Sequence, residues 1–533
     1  MSSRAKGLVA SLFVLGALIV AGMALVWPDP EPKGAPVAAD APGEPAEAAI
    51  DPPPIEPVPG EAAPEPRPAS SHSGWPTSAS LPEDRAAPTY QRVVLVTLDT
   101  LRRDHVSCYG YARRTTPFLD SLAARGVLFE NAVSSVSHTA PAHATILTGL
   151  HPLEHGVQQN GRKLDEGALD LGRLFGQAGF RTAAFVNVKF LEGICGSFET
   201  VEHRQRRGAA VVDAALAWLR GGRRPPRRFF LWVHLYDPHY WKLEDLPLRK
   251  TLEEVRASDA GDDAQLFDYL AGLHGLQAAE EPGLYVLGPS GDDGEGQLEL
   301  VDRERILALN DRYDALVRYA DDELARLYRE IEGAQLGGRT LWIVTADHGE
   351  GMGSHGFSGH GGRIYEEQVA VPLVVHAGDD SLAPRRVGAV VQHVDLFPTL
   401  AEVLDADLLG FDAAIGGASL WPLLQGSDGW QARPAFSQRR PPEKGRREED
   451  LYALRTPTHK YLFHSEGEDE LYDLQADPLE RVNRVGQGLP EEEALRRLLE
   501  GRLSVYRERR RGAQEVEIPD EWLEELRALG YAE

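Results

Sequence analysis

Short apolar runs alternate with amphipathic stretches along the chain after residue 90. The runs are VVLVTLD ending at Asp99, TAAFVNV ending at Val188, FFLWVHLYD ending at Asp237, LWIVTAD ending at Asp347 and VPLVV ending at Val375. Continuous apolar runs of this length are typical of parallel strands that are buried on both faces, with helices between them. The pattern predicts an α/β fold with a mostly parallel central sheet flanked by helices.

Three of these runs end in a carboxylate, at Asp99, Asp237 and Asp347. In open parallel sheets, ligands bind outside the carboxyl ends of the strands. Three acids at one edge therefore predict a cation site. The alternative for each of them is a turn residue or a helix cap, a common role for aspartate at the end of a strand.

The first 88 residues have a different composition. Arg4 and Lys6 precede an uncharged apolar run over 7–27, long enough to span a hydrocarbon core of about 30 Å. We expect an uncleaved membrane anchor, with a cleaved signal peptide as the alternative, and the basic flank places the rest of the chain outside the cytoplasm. Residues 28–88 carry 17 of the 37 prolines and predict a disordered linker.

Charge and cysteine content exclude several function classes. The chain has 56 Lys and Arg against 82 Asp and Glu, a net charge of -26, which disfavours nucleic acid as a partner because phosphate binding is cationic. An anionic substrate then needs a local positive feature such as a metal ion or a helix N-terminus. Cys108 and Cys195 are too few for a disulfide scaffold, and either one disulfide or two free thiols fits the sequence.

The segment SHTAPAHATILTG predicts a helix with Thr139 as its N-cap, Pro141 in the first turn and Gly149 as its stop. The N-terminus of a helix favours an anion and would stabilise an alkoxide at Thr139. The alternative is a threonine that only caps the helix.

Two further regions bear on domain organisation. The stretch 244–302 holds fifteen acids and three bases and predicts an insertion, either a lid or a solvated surface excursion. We expect a catalytic domain over 89–430 and a smaller α+β subdomain over 431–533.

Several motifs in a fixed order resemble the sulfatase branch of the alkaline phosphatase superfamily, from about Arg92 to the C-terminus. They are LVTLDTLRRDH, SHTAPAHATILTGLHPLEHGV, FLWVHLYDPHYW, VTADHGEGMGSHG, IYEEQVAVPLVV, VDLFPTLAEVL, LYALRTPTHKYLF and LEELRALGYAE. The resemblance implies an alkaline phosphatase-like fold, and a C-terminal subdomain with antiparallel strands around LYALRT and KYLFH and a final helix in PDEWLEELRALGY.

The chain departs from the family pattern at the nucleophile. Most sulfatases carry a C/S-x-P-x-R motif whose first residue is oxidised to formylglycine, whereas this chain has Thr139-Ala-Pro-Ala-His143. Formylglycine cannot be made from threonine by that chemistry, so no formylglycine is expected. Relatives with threonine there, such as nucleotide pyrophosphatase/phosphodiesterases and lipid-linked phosphotransferases, use the hydroxyl directly as the nucleophile.

The resemblance also implies a metal site and further functional residues. The metal ligands are Asp99, Thr139, Asp347 and His348, and Thr100 replaces the second aspartate of the usual pair. Asp237, His239 and His360 are candidates for a second metal, and His239 could instead act as an acid. Asn160 resembles the asparagine that binds a phosphoryl oxygen, with a simple Asn-Gly turn as the alternative. His143 could orient Thr139 or merely pack.

These observations predict an extracytoplasmic, metal-dependent hydrolase of sulfate or phosphate esters that uses Thr139 as its nucleophile. Zinc or manganese suits the mixed imidazole and carboxylate set, and calcium suits a one-metal sulfatase. The alternatives are a phosphotransferase to a lipid or glycan acceptor, a formylglycine-independent sulfatase and a non-catalytic binding protein. The partners expected are an anionic ester and, through the anchor, a membrane.

Overall fold

A computed structural model describes residues 89–203, 207–221, 226–243, 248–259, 262–288, 299–334, 339–406, 416–427, 430–439 and 450–509. The segments predicted as membrane anchor and linker, and the helix predicted in PDEWLEELRALGY, lie outside these residues. None of the helices in the described ranges is long and apolar enough to cross a membrane.

Eight strands form the central sheet. They are β1 (Arg92–Leu98), β2 (Val127–Val133), β3 (Arg181–Val186), β4 (Thr200–His203), β5 (Phe229–Leu235), β9 (Thr340–Ala346), β10 (Ala370–Ala377) and β11 (Arg385–Gln392), in the order β11-β2-β10-β9-β1-β5-β3-β4. Every residue of β1, β5 and β9 is buried, as their unbroken apolar runs predict. The predicted mostly parallel α/β sheet is confirmed.

One predicted strand runs the other way. The run VPLVV lies in β10, which pairs antiparallel with both β2 and β9. Its prediction as a parallel strand is wrong, because the segment 347–369 between β9 and β10 contains no crossover helix that would return the chain to the other end of the sheet. This segment therefore stays at the carboxyl edge of β9.

Helices cover the sheet and connect its strands. They are α1 (Pro117–Ala123), α2 (Thr139–Thr148), α3 (Pro152–His155), α4 (Leu171–Gln177), α5 (Gly208–Arg220), α6 (Arg249–Arg256), α7 (Asp263–His274), α8 (Arg303–Gly333), α9 (Glu366–Val369), α10 (Leu396–Val403), α11 (Trp421–Gln425) and α12 (Pro490–Arg509). Helix α8 begins where the Asp302 carboxylate accepts a hydrogen bond from the amide of Arg305 at 2.8 Å. Its buried face includes Leu316, Ala320 and Leu324, at the apolar spacing the sequence shows.

The acidic stretch 244–302 contains α6, α7 and a small antiparallel sheet. The strands of that sheet are β6 (Gln277–Ala278), β7 (Leu284–Val286) and β8 (Leu300–Asp302). This small sheet is separate from the central one.

A second antiparallel sheet lies near the C-terminus. Its strands are β12 (Ala435–Arg439), β13 (Leu451–Arg455), β14 (His459–His464) and β15 (Glu470–Asp473), paired in chain order. Leu495 and Leu499 of α12 pack against one of its faces, in a core with Leu454 and Tyr461. This arrangement confirms the predicted small C-terminal α+β subdomain.

Candidate active site

The strand register brings two of the predicted acids together. In the central sheet Leu98 is paired with Ala346, so Asp99 and Asp347 follow adjacent parallel strands at the same level. Both side chains are fully buried. Burial raises the pKa of Asp99 to about 8, and burial together with the charge of Asp99 raises the pKa of Asp347 well above its ordinary value. Two adjacent buried carboxylates are costly unless a positive charge compensates them.

The hydrogen bonds of Asp347 leave one of its oxygens without a donor. Its Oδ1 accepts from the amides of His348 at 2.8 Å and Thr100 at 3.2 Å. Its Oδ2 and both oxygens of Asp99 have no hydrogen-bond partner among the described residues. Buried carboxylate oxygens almost always have such partners, so these three mark a position for a ligand.

His348 presents a lone pair to the same place. Its Nδ1 lies 2.9 Å from the carbonyl of Gly349, which accepts the hydrogen bond and so leaves Nε2 without a proton in the neutral ring. Burial lowers the pKa of His348 well below its ordinary value, which keeps the ring neutral. Its Nε2 lies 3.4 Å from the hydroxyl of Thr139 and 3.4 Å from Oδ2 of Asp347.

These three side chains fit a divalent cation. One ligand atom from each of Asp99, Asp347 and His348 lies within 4.8 Å of the other two. Two carboxylates and a neutral imidazole are a donor set that first-row divalent metals accept. The unpartnered oxygens agree with this assignment, since a cation supplies the compensation that the described residues do not.

Thr139 begins the helix that faces these ligands. Helix α2 starts at Thr139, with His138 as its N-cap, and ends at Gly149, which has a φ of 70°. The predicted start, with Thr139 as the N-cap, is thus one residue late, while the predicted stop at Gly149 is confirmed. Pro141 lies in the first turn, where its missing N–H would have no helical partner in any case. The Thr139 hydroxyl is fully buried at the positive end of this helix.

Asn160 offers a donor beside Thr139. Its Oδ1 accepts from the Ala140 amide at 2.8 Å, which orients the side chain and leaves Nδ2 as a buried donor with no hydrogen-bond partner. A turn asparagine would be solvated, whereas this side chain is 8% exposed. An unpartnered N–H group at a helix N-terminus suits an oxygen of an anionic ester.

His143 is linked to the residue that would act as nucleophile. Its Nδ1 donates to the carbonyl of Thr139 at 2.7 Å, and its Nε2 is hydrogen bonded to the Thr97 hydroxyl at 2.9 Å. Both ring nitrogens have protein partners. Of the two roles predicted for His143, these bonds support orientation of Thr139.

His239 and His360 lie beside His348. The His360 ring stacks on His348 with centroids 4.7 Å apart, and the His239 ring meets His360 edge to face at 5.1 Å. His360 Nδ1 lies 3.3 Å from a carboxylate oxygen of Glu350, which also accepts from the Trp241 indole at 3.1 Å. Glu350 thereby fixes the orientation of the His360 ring.

Asp237 and Thr100 each make contacts with backbone or side-chain groups near the sheet edge. Asp237 was a candidate second-metal ligand, but both of its oxygens accept from the amide of Gly208 at the start of α5. It is not part of the convergent ligand group, because its carboxylate is engaged at that helix N-terminus. Thr100 has a φ of 53°, a strained value for threonine, and this turn directs its amide at Asp347.

Sequence reasoning missed three residues that support this site. Thr97 and His234 lie inside the apolar runs of β1 and β5, and Glu350 lies inside the quoted VTADHGEG motif. The signal that could have found His234 was a histidine within a run that is otherwise wholly apolar. Thr97 offered no comparable signal, because threonine is common in strands.

The family models divide the chain into two matching regions. The sulfatase family model matches residues 91–406, and the model for the C-terminal region of N-sulphoglucosamine sulphohydrolase matches residues 353–509. The first match alone covers more than half of the chain.

Individual relatives have a low sequence identity to this chain, but the matches cover most of both chains. The multifunctional alkaline phosphatase superfamily protein PehA of Trinickia caryophylli is 25% identical, over 75% of this chain and 92% of its own. An ulvan-active sulfatase of Formosa agariphila is also 25% identical, over 79% of this chain and 82% of its own.

Solved structures show the same fold. The phosphonate monoester hydrolase of Agrobacterium radiobacter superposes with a TM-score of 0.61 at 22% identity, covering 79% of this chain and 96% of that one. Enzymes of this family are generally dependent on a divalent metal. The chain belongs to the sulfatase family of the alkaline phosphatase superfamily and is a sulfate or phosphate ester hydrolase.

Proposed function

We propose that this chain is a metal-dependent phosphoesterase that uses the Thr139 hydroxyl as its nucleophile, acting on a phosphodiester or phosphonate ester. The observation that carries the proposal is the position of this hydroxyl. It lies at the N-terminus of α2, 3.4 Å from Nε2 of His348 and beside the buried pair Asp99 and Asp347. The phosphonate monoester hydrolase, whose fold is similar to that of this chain, supports a phosphorus ester as the substrate.

A divalent cation held by Asp99, Asp347 and His348 would polarise an ester oxygen and lower the pKa of a nearby hydroxyl. Groups of the protein itself bind and orient the ester. Asn160 Nδ2 donates to a non-bridging oxygen of the ester, and the dipole of α2 favours the anion at the same point.

The reaction then proceeds by displacement at phosphorus. The hydroxyl of Thr139 gives up its proton to water as its oxygen forms a bond to phosphorus and the bond to the leaving alcohol breaks. The leaving oxygen takes a proton from water, while a ring N–H of His239 or His360 donates a hydrogen bond to it. Burial lowers the pKa of His239 well below its ordinary value, so its neutral ring acts as a hydrogen-bond donor. Water hydrolyses the resulting threonine ester. Direct attack suits threonine, because this residue has no aldehyde hydrate from which a sulfate could be eliminated.

The test offers four nitrophenyl esters to the full-length chain in detergent: a sulfate, a phosphate monoester, a phosphodiester and a phosphonate ester. Thr139→Ala is compared with wild type and with Thr139→Ser, which keeps a hydroxyl. We expect turnover of the phosphodiester or the phosphonate, lost by at least about 10³-fold in Thr139→Ala and largely kept in Thr139→Ser. Acid quenching during turnover is expected to trap a phosphorylated Thr139, identified by mass spectrometry of peptides.

Preferential turnover of the sulfate ester would contradict the phosphoesterase assignment. An unchanged rate in Thr139→Ala would contradict the nucleophile. The two results are independent, so the experiment separates substrate class from mechanism.

We also propose an extracytoplasmic catalytic domain tethered through residues 7–27. This proposal is supported by the apolar run and its basic flank. Protease accessibility in intact cells tests it, with a chain that begins after residue 27 as the comparison. Protection of the full-length protein in intact cells would contradict it.

A further inference from the structure

A short 3-10 turn places Lys242 beside His239. The turn spans Asp237–Lys242 and follows β5. Side chains three residues apart eclipse each other in a 3-10 helix, so His239 and Lys242 leave the turn on the same side. Burial, then the charges of His360 and Lys242, lower the pKa of His239 well below its ordinary value, which agrees with an ammonium close to a neutral ring.

Neighbouring elements fix this turn. Trp241 is buried, and its indole N–H donates to Oε2 of Glu350 at 3.1 Å. The Trp241 carbonyl accepts from the guanidinium of Arg312 on α8 at 3.2 Å. At the other end of the turn, the Asp237 carboxylate accepts from the first amide of α5 at 2.9 Å. The backbone that carries Lys242 is therefore held on both sides.

The ammonium of Lys242 is held by Ser358. Nζ of Lys242 donates to the Ser358 hydroxyl at 3.0 Å, and this hydroxyl donates to the carbonyl of Gly288 at 3.4 Å. Ser358 is fully buried. The ammonium also lies 4.9 Å from the centre of the Trp241 ring, which is a cation–π contact. The fold thus sets the position of this positive charge.

Four side chains lead from the cation site towards the surface. His348 is fully buried, His360 stacks on it and is 3% exposed, and His239 and Lys242 beyond them are half-buried. Because Thr139 is fully buried, a bound ester has to extend from it along this more open side. In the proposed reaction the leaving oxygen accepts a hydrogen bond from His239 or His360, so the rest of the leaving alcohol lies near Lys242.

We propose that Lys242 binds an anionic group on the leaving alcohol, so that the substrate is an ester whose alcohol carries a second negative charge, such as a carboxylate. The inference rests on the proposed function and names the substrate class. The chain has a net charge of -26, so an additional anionic group of the substrate needs a local cation. Lys242 supplies one that the fold holds in place before the substrate binds.

The experiment compares two methylphosphonate esters that differ in one charge. The leaving group is a nitrophenol that carries a carboxylate in one ester and the methyl ester of that carboxylate in the other. The ratio of kcat/KM for the charged ester to that for the uncharged ester is measured with the full-length chain in detergent. The proteins are wild type, Lys242→Met and Lys242→Arg. Lys250→Met is the matched control, because Lys250 lies nearby in the sequence on α6, with its side chain 81% exposed.

We expect Lys242→Met to lower this ratio by about 10-fold, because methionine keeps most of the aliphatic stem and removes the charge. Lys242→Arg keeps the charge and should restore most of the ratio, and Lys250→Met should leave it unchanged. In wild type the ratio should fall as salt is added, because ions screen a partly exposed charge. This salt dependence tests the inference even where Lys242→Met does not fold.

An unchanged ratio in a folded Lys242→Met would overturn the inference, even where both esters react more slowly, since a purely structural role affects the two esters alike. The same fall in Lys250→Met would also overturn it, by showing an effect of net charge. A wild-type ratio that does not depend on salt would do so as well. Absence of turnover of both esters by wild type would instead overturn the phosphonate ester hydrolysis of the proposed function, and the inference with it.

Discussion

Two fully buried aspartates of this protein have opposite surroundings. Asp314 of α8 accepts hydrogen bonds from His105 Nδ1 at 2.8 Å, from the Tyr111 hydroxyl at 2.8 Å and from Arg113 at 2.9 Å. Neither carboxylate oxygen of Asp99 has a hydrogen-bond partner among the described residues. Burial alone raises the pKa of both, but at Asp314 the bonds from His105 and the charge of Arg113 outweigh burial and lower it.

This difference distinguishes a buried carboxylate that stabilises the fold from one that is available to bind a ligand. The protein itself satisfies Asp314, whose partners tie α8 to the segment after β1. The protein does not satisfy Asp99, Oδ2 of Asp347 or Nδ2 of Asn160, and these atoms converge near Thr139. Unpartnered buried groups are costly to a fold, so their accumulation in one place indicates that a ligand completes them.

The largest effect is expected for Asp347→Asn. This change removes a ligating charge, so turnover should fall by at least about 10³-fold and cation binding should be lost. The metal-free protein should be no less stable than wild type, because the repulsion between two buried carboxylates is relieved. Chelator competition measures the expected loss of cation binding, and thermal melting of the metal-free chain measures its stability. A large loss of stability would place Asp347 in the same class as Asp314.

Asp314→Ala should have the converse effect. It leaves Arg113 and His105 without their buried partner, and we expect a loss of about 3–5 kcal/mol in the free energy of unfolding. Cation affinity of the protein that remains folded should match wild type. Denaturant titration measures the first quantity, and weakened cation binding in the folded variant would break the distinction between the two aspartates.

Asn160→Ala tests the unpartnered donor near Thr139. Removing one preorganised donor to a developing charge should lower kcat by about 10²-fold, with little change in cation affinity. Steady-state kinetics and the chelator assay distinguish these quantities. An unchanged kcat would show that Asn160 only forms a turn and holds the Ala140 amide.

The smallest expected effect is on the pH dependence of stability. The pKa of Asp99 in the metal-free fold is raised to about 8, so the folded state binds its proton more tightly than the unfolded chain does. Its contribution to stability is complete below the unfolded pKa of about 3.9 and is lost as pH rises through about 8. The melting temperature gained on adding cation should therefore be larger at pH 8 than at pH 5.

Asp99→Asn is the control for this pH dependence. It removes the titrating group, so the metal-free melting temperature should vary less between these two pH values than in wild type. Identical pH profiles would show that another group is responsible.

Much of this site could be predicted because its ligands follow buried strands. Asp99 and Asp347 end apolar runs that are recognisable in one dimension, and parallel strands bring their carboxyl ends to one edge. The same rule selected Asp237, whose carboxylate accepts from the Gly208 amide at the start of α5, in line with the helix-cap alternative. Strand position predicts the edge that a side chain reaches, but not the partner it finds there.

The amino-acid sequence by itself determined the class of the sheet, the family and the threonine in place of a formylglycine precursor. These depend on local periodicity and on motifs of contiguous residues. The tertiary structure alone decided the antiparallel direction of β10, the lone pair of His348 facing Thr139 and the hydrogen bond between His234 and Thr97. Those features depend on strand register and ring orientation between residues far apart in the chain, such as Thr97 and His234, which no local pattern encodes.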